Sequence, residues 1–278
     1  MSKFINPFTD VGFKRIFGQE FSKPLLLDFL NNMLKGEREI VGLSFLDKEQ
    51  PAVYDGDRSL IYDIYCETVD GEKIIVEMQN REHPNFKERT LYYASESISR
   101  QGERGSGWDY DVKAVYLVAF TNFPMDNMSE AVRVDVGLTD LRTGKLFSDK
   151  LRFVYIQLPC FTKSADDCEN DFERWIYVLK NMETLNRMPW AAQNSVFRRL
   201  EEIGEVSAMS KEERMKYDYA LKKYRDTLAV MRGAEMKGVE KGRAEERLAN
   251  ARSLKANGIA MDVIVKSLGL TPEEIDKL

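Results

Sequence analysis

The chain has 278 residues, 43% hydrophobic and 31% charged, enough to bury one sizeable domain and carry appendages. Its net charge of −5 weighs against a protein that coats nucleic acid nonspecifically, since counterion release needs clustered Lys and Arg, but it leaves room for a locally basic cleft. Cys66, Cys160 and Cys168 form no CxxC and are odd in number, and no stretch has the length of a signal peptide or a membrane span, so the sequence predicts a cytoplasmic protein with reduced thiols and no membrane partner.

Taken in order, Thr9 or Asp10 caps a predicted helix over about 11–17, with Phe13, Ile16 and Phe17 on one stripe and Gly18 as its stop. Asp10 and Lys14 lie one turn apart on it, the spacing of an ordinary solvated ion pair. Ser22 and Pro24 open a second helix that reaches about Leu34. Residues 40–46 predict a strand, and 48–58 a polar connection.

Residues 59–79, SLIYDIYCETVDGEKIIVEMQ, predict a hairpin turning at Val69-Asp70-Gly71. A three-residue loop with Gly71 at positive φ pairs Thr68 with Glu72 and gathers Leu60, Tyr62, Ile64, Cys66, Ile74, Val76 and Met78 on one face. A two-residue loop mixes apolar and polar sets, so burial selects the longer one. The other face then carries Asp63, Tyr65, Glu67, Lys73, Glu77 and Gln79, interrupted by Ile61 and Ile75. Asp63 faces Glu77 across the strands in this register. Like charges so placed are destabilising unless a shared proton, a nearby cation or a divalent metal compensates them. At a solvated sheet margin the same pairing is merely incidental.

Residues 80–84 read as a loop containing His83, the one histidine of the chain. A helix follows over about 85–101, with Phe86, Arg89, Tyr93, Ser97 and Arg100 on one stripe and Leu91, Ala94 and Ile98 on another. Arg89 and Tyr93 either face the polar side of the hairpin, where an arginine serves a phosphate, or simply cover the sheet edge with their stems. The glycine-rich loop over 101–107 lacks the ending of a P-loop, which argues against nucleotide binding. Residues 112–120 predict a strand buried on both faces, and 132–141 with 145–158 a second hairpin. Phe172, Trp175, Ile176, Leu179 and Met182 form a helical core stripe, with further helices over 190–203 and from 211. The segment over 211–255 is charged and helix-prone, interrupted by Gly233, Gly238 and Gly242, and a small helical appendage ends the chain. That appendage suits docking or self-association better than reading DNA.

Asp63, a turn, then Glu77-Met78-Gln79 resembles the core of PD-(D/E)XK nucleases, with Gln in place of the usual Lys. Thr9-Asp10-Val11-Gly12-Phe13-Lys14-Arg15-Ile16-Phe17-Gly18, Leu30-Asn31-Asn32-Met33-Leu34 and Phe86-Lys87-Glu88-Arg89-Thr90-Leu91-Tyr92-Tyr93 extend the likeness to the PD-(D/E)XK nuclease family transposases, or recombination-promoting nucleases. The resemblance implies an α/β fold with a restriction-endonuclease-like core, a mixed sheet flanked by helices and a helical C-terminal extension. It implies a nuclease-like core with an added hairpin over 1–165, a helical extension over 166–232 and a charged helical tail over 233–278. It implies a Mg²⁺-dependent DNA endonuclease, with Mn²⁺ or Ca²⁺ as alternatives, in which Asp63, Glu77 and the Met78 carbonyl hold the metal. Gln79 takes the third catalytic position, and Asp10, Lys14, Arg89 and Tyr93 border the site as auxiliary or phosphate-binding groups. The expected partners are DNA and a second copy of the chain joined through the tail. The competing expectation is an interaction module that keeps the nuclease fold without strong catalysis.

Overall fold

The computed structural model describes residues 2–50, 60–103 and 107–278. Most of the expected polar connection over 48–58, Ser59 of the expected hairpin and the centre of the glycine-rich loop lie outside the described residues. Two compact units make up the chain, Met1–Leu221 and Lys222–Leu278.

In the first unit, α1 (Asp10–Phe17) starts where the Thr9 hydroxyl accepts the N–H of Gly12 at 2.9 Å. Helix α2 (Lys23–Met33) carries Pro24 in its first turn, where a missing N–H costs nothing. Strand β1 (Leu43–Phe45) pairs antiparallel with β4 (Ile64–Thr68), which pairs antiparallel with β5 (Lys73–Gln79). The hairpin has the three-residue loop: Thr68 N–H donates to the Glu72 carbonyl at 2.9 Å, and Gly71 sits at φ +85°. Helix α3 (Phe86–Ser99) then crosses to β6 (Val115–Thr121), parallel to β5 and buried at all seven positions. Strands β7 (Arg133–Thr139) and β8 (Leu146–Gln157) form the second hairpin, and β8 runs parallel to β6. The six strands stand in the order β1-β4-β5-β6-β8-β7.

Both sheet faces are covered, so the sheet is the middle layer of an α/β sandwich. One core gathers Phe13, Phe17, Phe29, Ile64, Val76 and Phe120 with Trp175 of α4 (Asp171–Asn181) and Phe197 of α5 (Ser195–Gly204). The other packs Tyr62, Tyr65, Ile75 and Leu117 against Phe86 and Ala94 of α3. Helix α3 buries Phe86, Thr90, Ala94 and Ser97, while Leu91 stays exposed instead of joining Ala94.

One expectation for the hairpin needs correction. Its first strand is not continuous: β3 (Leu60–Ile61) pairs with β2 (Glu49–Gln50) in a separate two-stranded sheet, and the chain bends at Asp63 before β4 begins. Leu60 and Tyr62 therefore lie with Tyr65 and Ile75, not with Ile64. The face taken as polar is also buried around Tyr65 and Ile75. Its tyrosines satisfy their hydroxyls locally, Tyr65 with Ser97 Oγ at 3.0 Å and Tyr62 with the Tyr93 carbonyl at 3.4 Å.

Helix α6 (Lys211–Ala256) contributes Tyr217 to the core of the first unit. In the second unit its later turns, α7 (Met261–Leu268) and α8 (Pro272–Asp276) share a small apolar cluster of Ala251, Ile264 and Ile275. Gly233, Gly238 and Gly242 sit inside the continuous helix rather than breaking it. Among the described residues no helix is long and apolar enough to cross a membrane.

Candidate functional site

The β4–β5 ladder ends at the pair Ile64 and Val76. One rung further the bonds are made by side chains. Asp63 N–H donates to Glu77 Oε1 at 3.2 Å, and Met78 N–H donates to Asp63 Oδ2 at 2.9 Å. The bend at Asp63 frees these main-chain donors from the ladder, and each carboxylate is oriented by one of them. Among the described residues neither Asp63 Oδ1 nor Glu77 Oε2 accepts a hydrogen bond, which leaves one oxygen of each for a ligand. The pair lies where β5 nears its end, beside the C-terminal ends of the parallel strands β6 and β8, the side of an α/β sheet on which ligands gather.

Glu77 is 7% exposed. Burial, reinforced by the charge of Asp63, pushes its carboxyl up to about 8. Burial also raises Asp63, opposed by the Met78 N–H and by the positive charge of Lys14. Two carboxylates that resist ionising together are compensated by a shared proton or by a cation.

The four auxiliary residues are coupled to this pair electrostatically. Lys14 and Arg89 act on both carboxylates as positive charges, and Asp10, ion-paired with Lys14, acts on Asp63 as a negative one. Tyr93 has its phenol raised by burial and by the charges of Glu77 and Asp63. Gln79 is held at both ends of its amide: Arg89 Nη2 donates to its Oε1 at 2.7 Å, and its Nε2 donates to the Arg81 carbonyl at 2.8 Å. The Arg89 guanidinium also lies over the Phe86 ring, 5.3 Å from the centroid. Sequence reasoning missed two neighbours. Asn80 Nδ2 donates to the Phe8 carbonyl at 2.5 Å, fastening the segment before α1 to the end of β5, and the Arg81 carbonyl anchors Gln79. Each contact ends on a main-chain carbonyl, of Phe8 or of Arg81, for which side-chain patterns carry no signal.

The donor set fits a hard divalent cation. Mg²⁺ takes one or two carboxylates and keeps several waters, so two converging oxygens suffice. Among the described residues no group of three or more His, Cys, Asp and Glu is arranged to hold a metal.

Neither the curated proteins nor the solved structures contain a match to the chain. A family model described as PD-(D/E)XK nuclease family transposase matches residues 7–234, from the turn before α1 into α6, and so encloses every residue of the site. That family has an α/β fold with a mixed sheet and flanking helices, and PD-(D/E)XK nucleases generally use divalent metal ions. With such a match over most of its length, the chain belongs to the PD-(D/E)XK nuclease family transposases.

Proposed function

We propose that this chain is a Mg²⁺-dependent endonuclease that hydrolyses phosphodiester bonds of DNA in recombination or transposition, with Mn²⁺ or Ca²⁺ as alternative ions. The observation that carries the proposal is the reciprocal orientation of Asp63 and Glu77 by main-chain N–H groups, which leaves one oxygen of each free. Asp63, Glu77 and the Met78 carbonyl would hold the ion. Bound there, a divalent cation polarises a phosphoryl oxygen and lowers the pKa of a coordinated water.

The remaining residues position and neutralise. Gln79 carries no charge, so it does not replace the lysine of the family motif electrostatically. Arg89, bonded to Gln79, brings the missing cation from α3 and suits a phosphate oxygen by its planar donors. To orient an attacking water, the Gln79 amide would exchange its bond to the Arg81 carbonyl. Lys14 adds a second positive charge from α1, restrained by Asp10. In this scheme the chemistry resides in 1–165, the extension over 166–232 supports it, and the tail over 233–278 joins copies of the chain. The setting is cytoplasmic.

The test is nicking of supercoiled plasmid by the full-length protein. Cleavage in Mg²⁺, lost with EDTA and in Asp63→Ala, supports the proposal. Equal cleavage by Asp63→Ala, or none by the wild type with any of the three ions, overturns it.

A further inference from the structure

At the start of α3 lies a pocket of about 310 Å³, lined by Phe86, Phe123, Glu82, His83, Glu88 and Asp126 among others. This is at the lower end of the ~300–1,000 Å³ typical of small-ligand sites, room for one flat group and not for a duplex. Phe86 joins it to the site, since Arg89 stacks over that ring while holding Gln79.

The pocket is held in shape from below. Gln157, 1% exposed, accepts the N–H of Met125 at 2.7 Å and donates to the carbonyls of Ser129 at 2.7 Å and Ala131 at 2.8 Å. The Thr121 hydroxyl donates to the Phe123 carbonyl at 2.9 Å. Lys87 crosses from α3 to the Asp126 carbonyl and closes one wall. Phe123 meets Phe86 edge to face, with centroids 6.2 Å apart.

The wall chemistry selects a ligand. Among the described residues the carboxylates of Glu82, Glu88 and Asp126 have no hydrogen-bond or ion-pair partner. Three acids repel a phosphate but accept hydrogen bonds from amino groups. His83 accepts the Asn85 N–H on Nδ1 at 3.2 Å, which leaves Nε2 as a donor. The half-buried Phe123 ring, carboxylate acceptors and one donor together suit a nucleobase rather than a sugar-phosphate strand.

We propose that this pocket is a subsite for one unpaired nucleobase bearing an exocyclic amino group, adenine or cytosine in preference to thymine, next to the phosphodiester that is cut. The proposal rests on the nuclease reading of Asp63 and Glu77 and deepens it: a base enters such a pocket only when it is out of its pair, so the substrate is single-stranded or locally unpaired at the cut.

Fluorescence anisotropy of labelled hexanucleotides with nuclease-resistant backbone linkages, with the full-length protein in Ca²⁺, tests it. Oligo-dA and oligo-dC should bind about tenfold more tightly than oligo-dT, as expected for a base-edge contact. Phe123→Ala should bring all three to the level of an abasic hexamer. The double variant Glu82→Gln, Asp126→Asn, which keeps the wall shape, should erase the preference over dT with an unchanged melting temperature. Equal affinity for all hexamers including the abasic one, or a preference that survives in both variants, overturns the proposal. Hydrolysis of bis(p-nitrophenyl) phosphate in Mg²⁺ or Mn²⁺ reports on the carboxylates separately, because that diester has no base. Base preference without this hydrolysis supports the pocket and counts against the nuclease reading; hydrolysis without base preference overturns the pocket alone.

Discussion

Arg89 donates from Nη2 to Gln79 Oε1 at 2.7 Å, tying the first turn of α3 to the end of β5. A helix-borne cation thus stands at the amide that occupies the third position of the motif. Arg89→Ala should lower plasmid cleavage by about 10²–10³-fold, the usual loss when one transition-state donor is removed. Gln79→Lys on that background should restore part of the rate by returning a charge to the strand. Single-turnover cleavage measures both, and no rescue would mean that Arg89 acts through shape and not charge.

The pH dependence of stability follows from Glu77. Burial and the charge of Asp63 raise its carboxyl from 4.5 to about 8. A raised acid binds its proton more tightly in the folded chain than in the unfolded one. Its contribution is therefore full below the ordinary glutamate value and is lost as pH rises toward about 8. Metal-free protein should lose roughly a few kcal/mol from this group over that window, seen as a falling melting temperature. Glu77→Gln should flatten the trend, and Mg²⁺ should restore the wild type at the alkaline end by binding the ionised pair. Melting curves in EDTA at several pH values check this, and parallel curves for wild type and variant would contradict it.

Asp63 separates charge from hydrogen bonding. Asp63→Asn keeps an oxygen for the Met78 N–H while removing repulsion with Glu77, so metal-free stability should be equal or higher. Asp63→Ala also loses that hydrogen bond and should cost about 0.5–1.5 kcal/mol. Thermal melts of both variants decide the matter; a large loss in Asp63→Asn would make the aspartate structural.

Much of this was legible in the sequence. Gly71 fixed the loop, and the apolar set Ile64, Cys66, Ile74 and Val76 fixed the register, which placed Asp63 beside Glu77. The apolar run over 112–120 marked the strand buried on both faces, which spans Val115–Thr121. The break before β4 was not legible, because alternation continues through Tyr62 and Asp63 while the bonds that replace the ladder come from carboxylate side chains. The second core was hidden by Tyr65, whose hydroxyl suggests solvent although its ring is buried. The hold of Arg89 on Gln79 depends on how α3 crosses the sheet, which local periodicity does not encode.

The tail offers a separate test. Helix α6 exposes Val230, Met236 and Val239, and three glycines in its length have open space where a Cβ would stand. A chain ending at Arg232 keeps Tyr217 in the core and every proposed ligand. It should fold and nick DNA while losing self-association. Light scattering beside the plasmid assay measures both: equal masses would remove the assembly role, and lost cleavage by a folded truncation would make the tail part of the enzyme.

The most direct test of the central claim, that Asp63 and Glu77 form a cation site, is Mn²⁺ binding followed by loss of the free-ion electron paramagnetic resonance signal. At about pH 8 the wild type should take up one ion per chain, with affinity at least about tenfold weaker in both Asp63→Asn and Glu77→Gln, as expected when one of two carboxylate ligands is lost. Equal uptake by wild type and both variants, or no uptake by the folded wild type, would contradict the account.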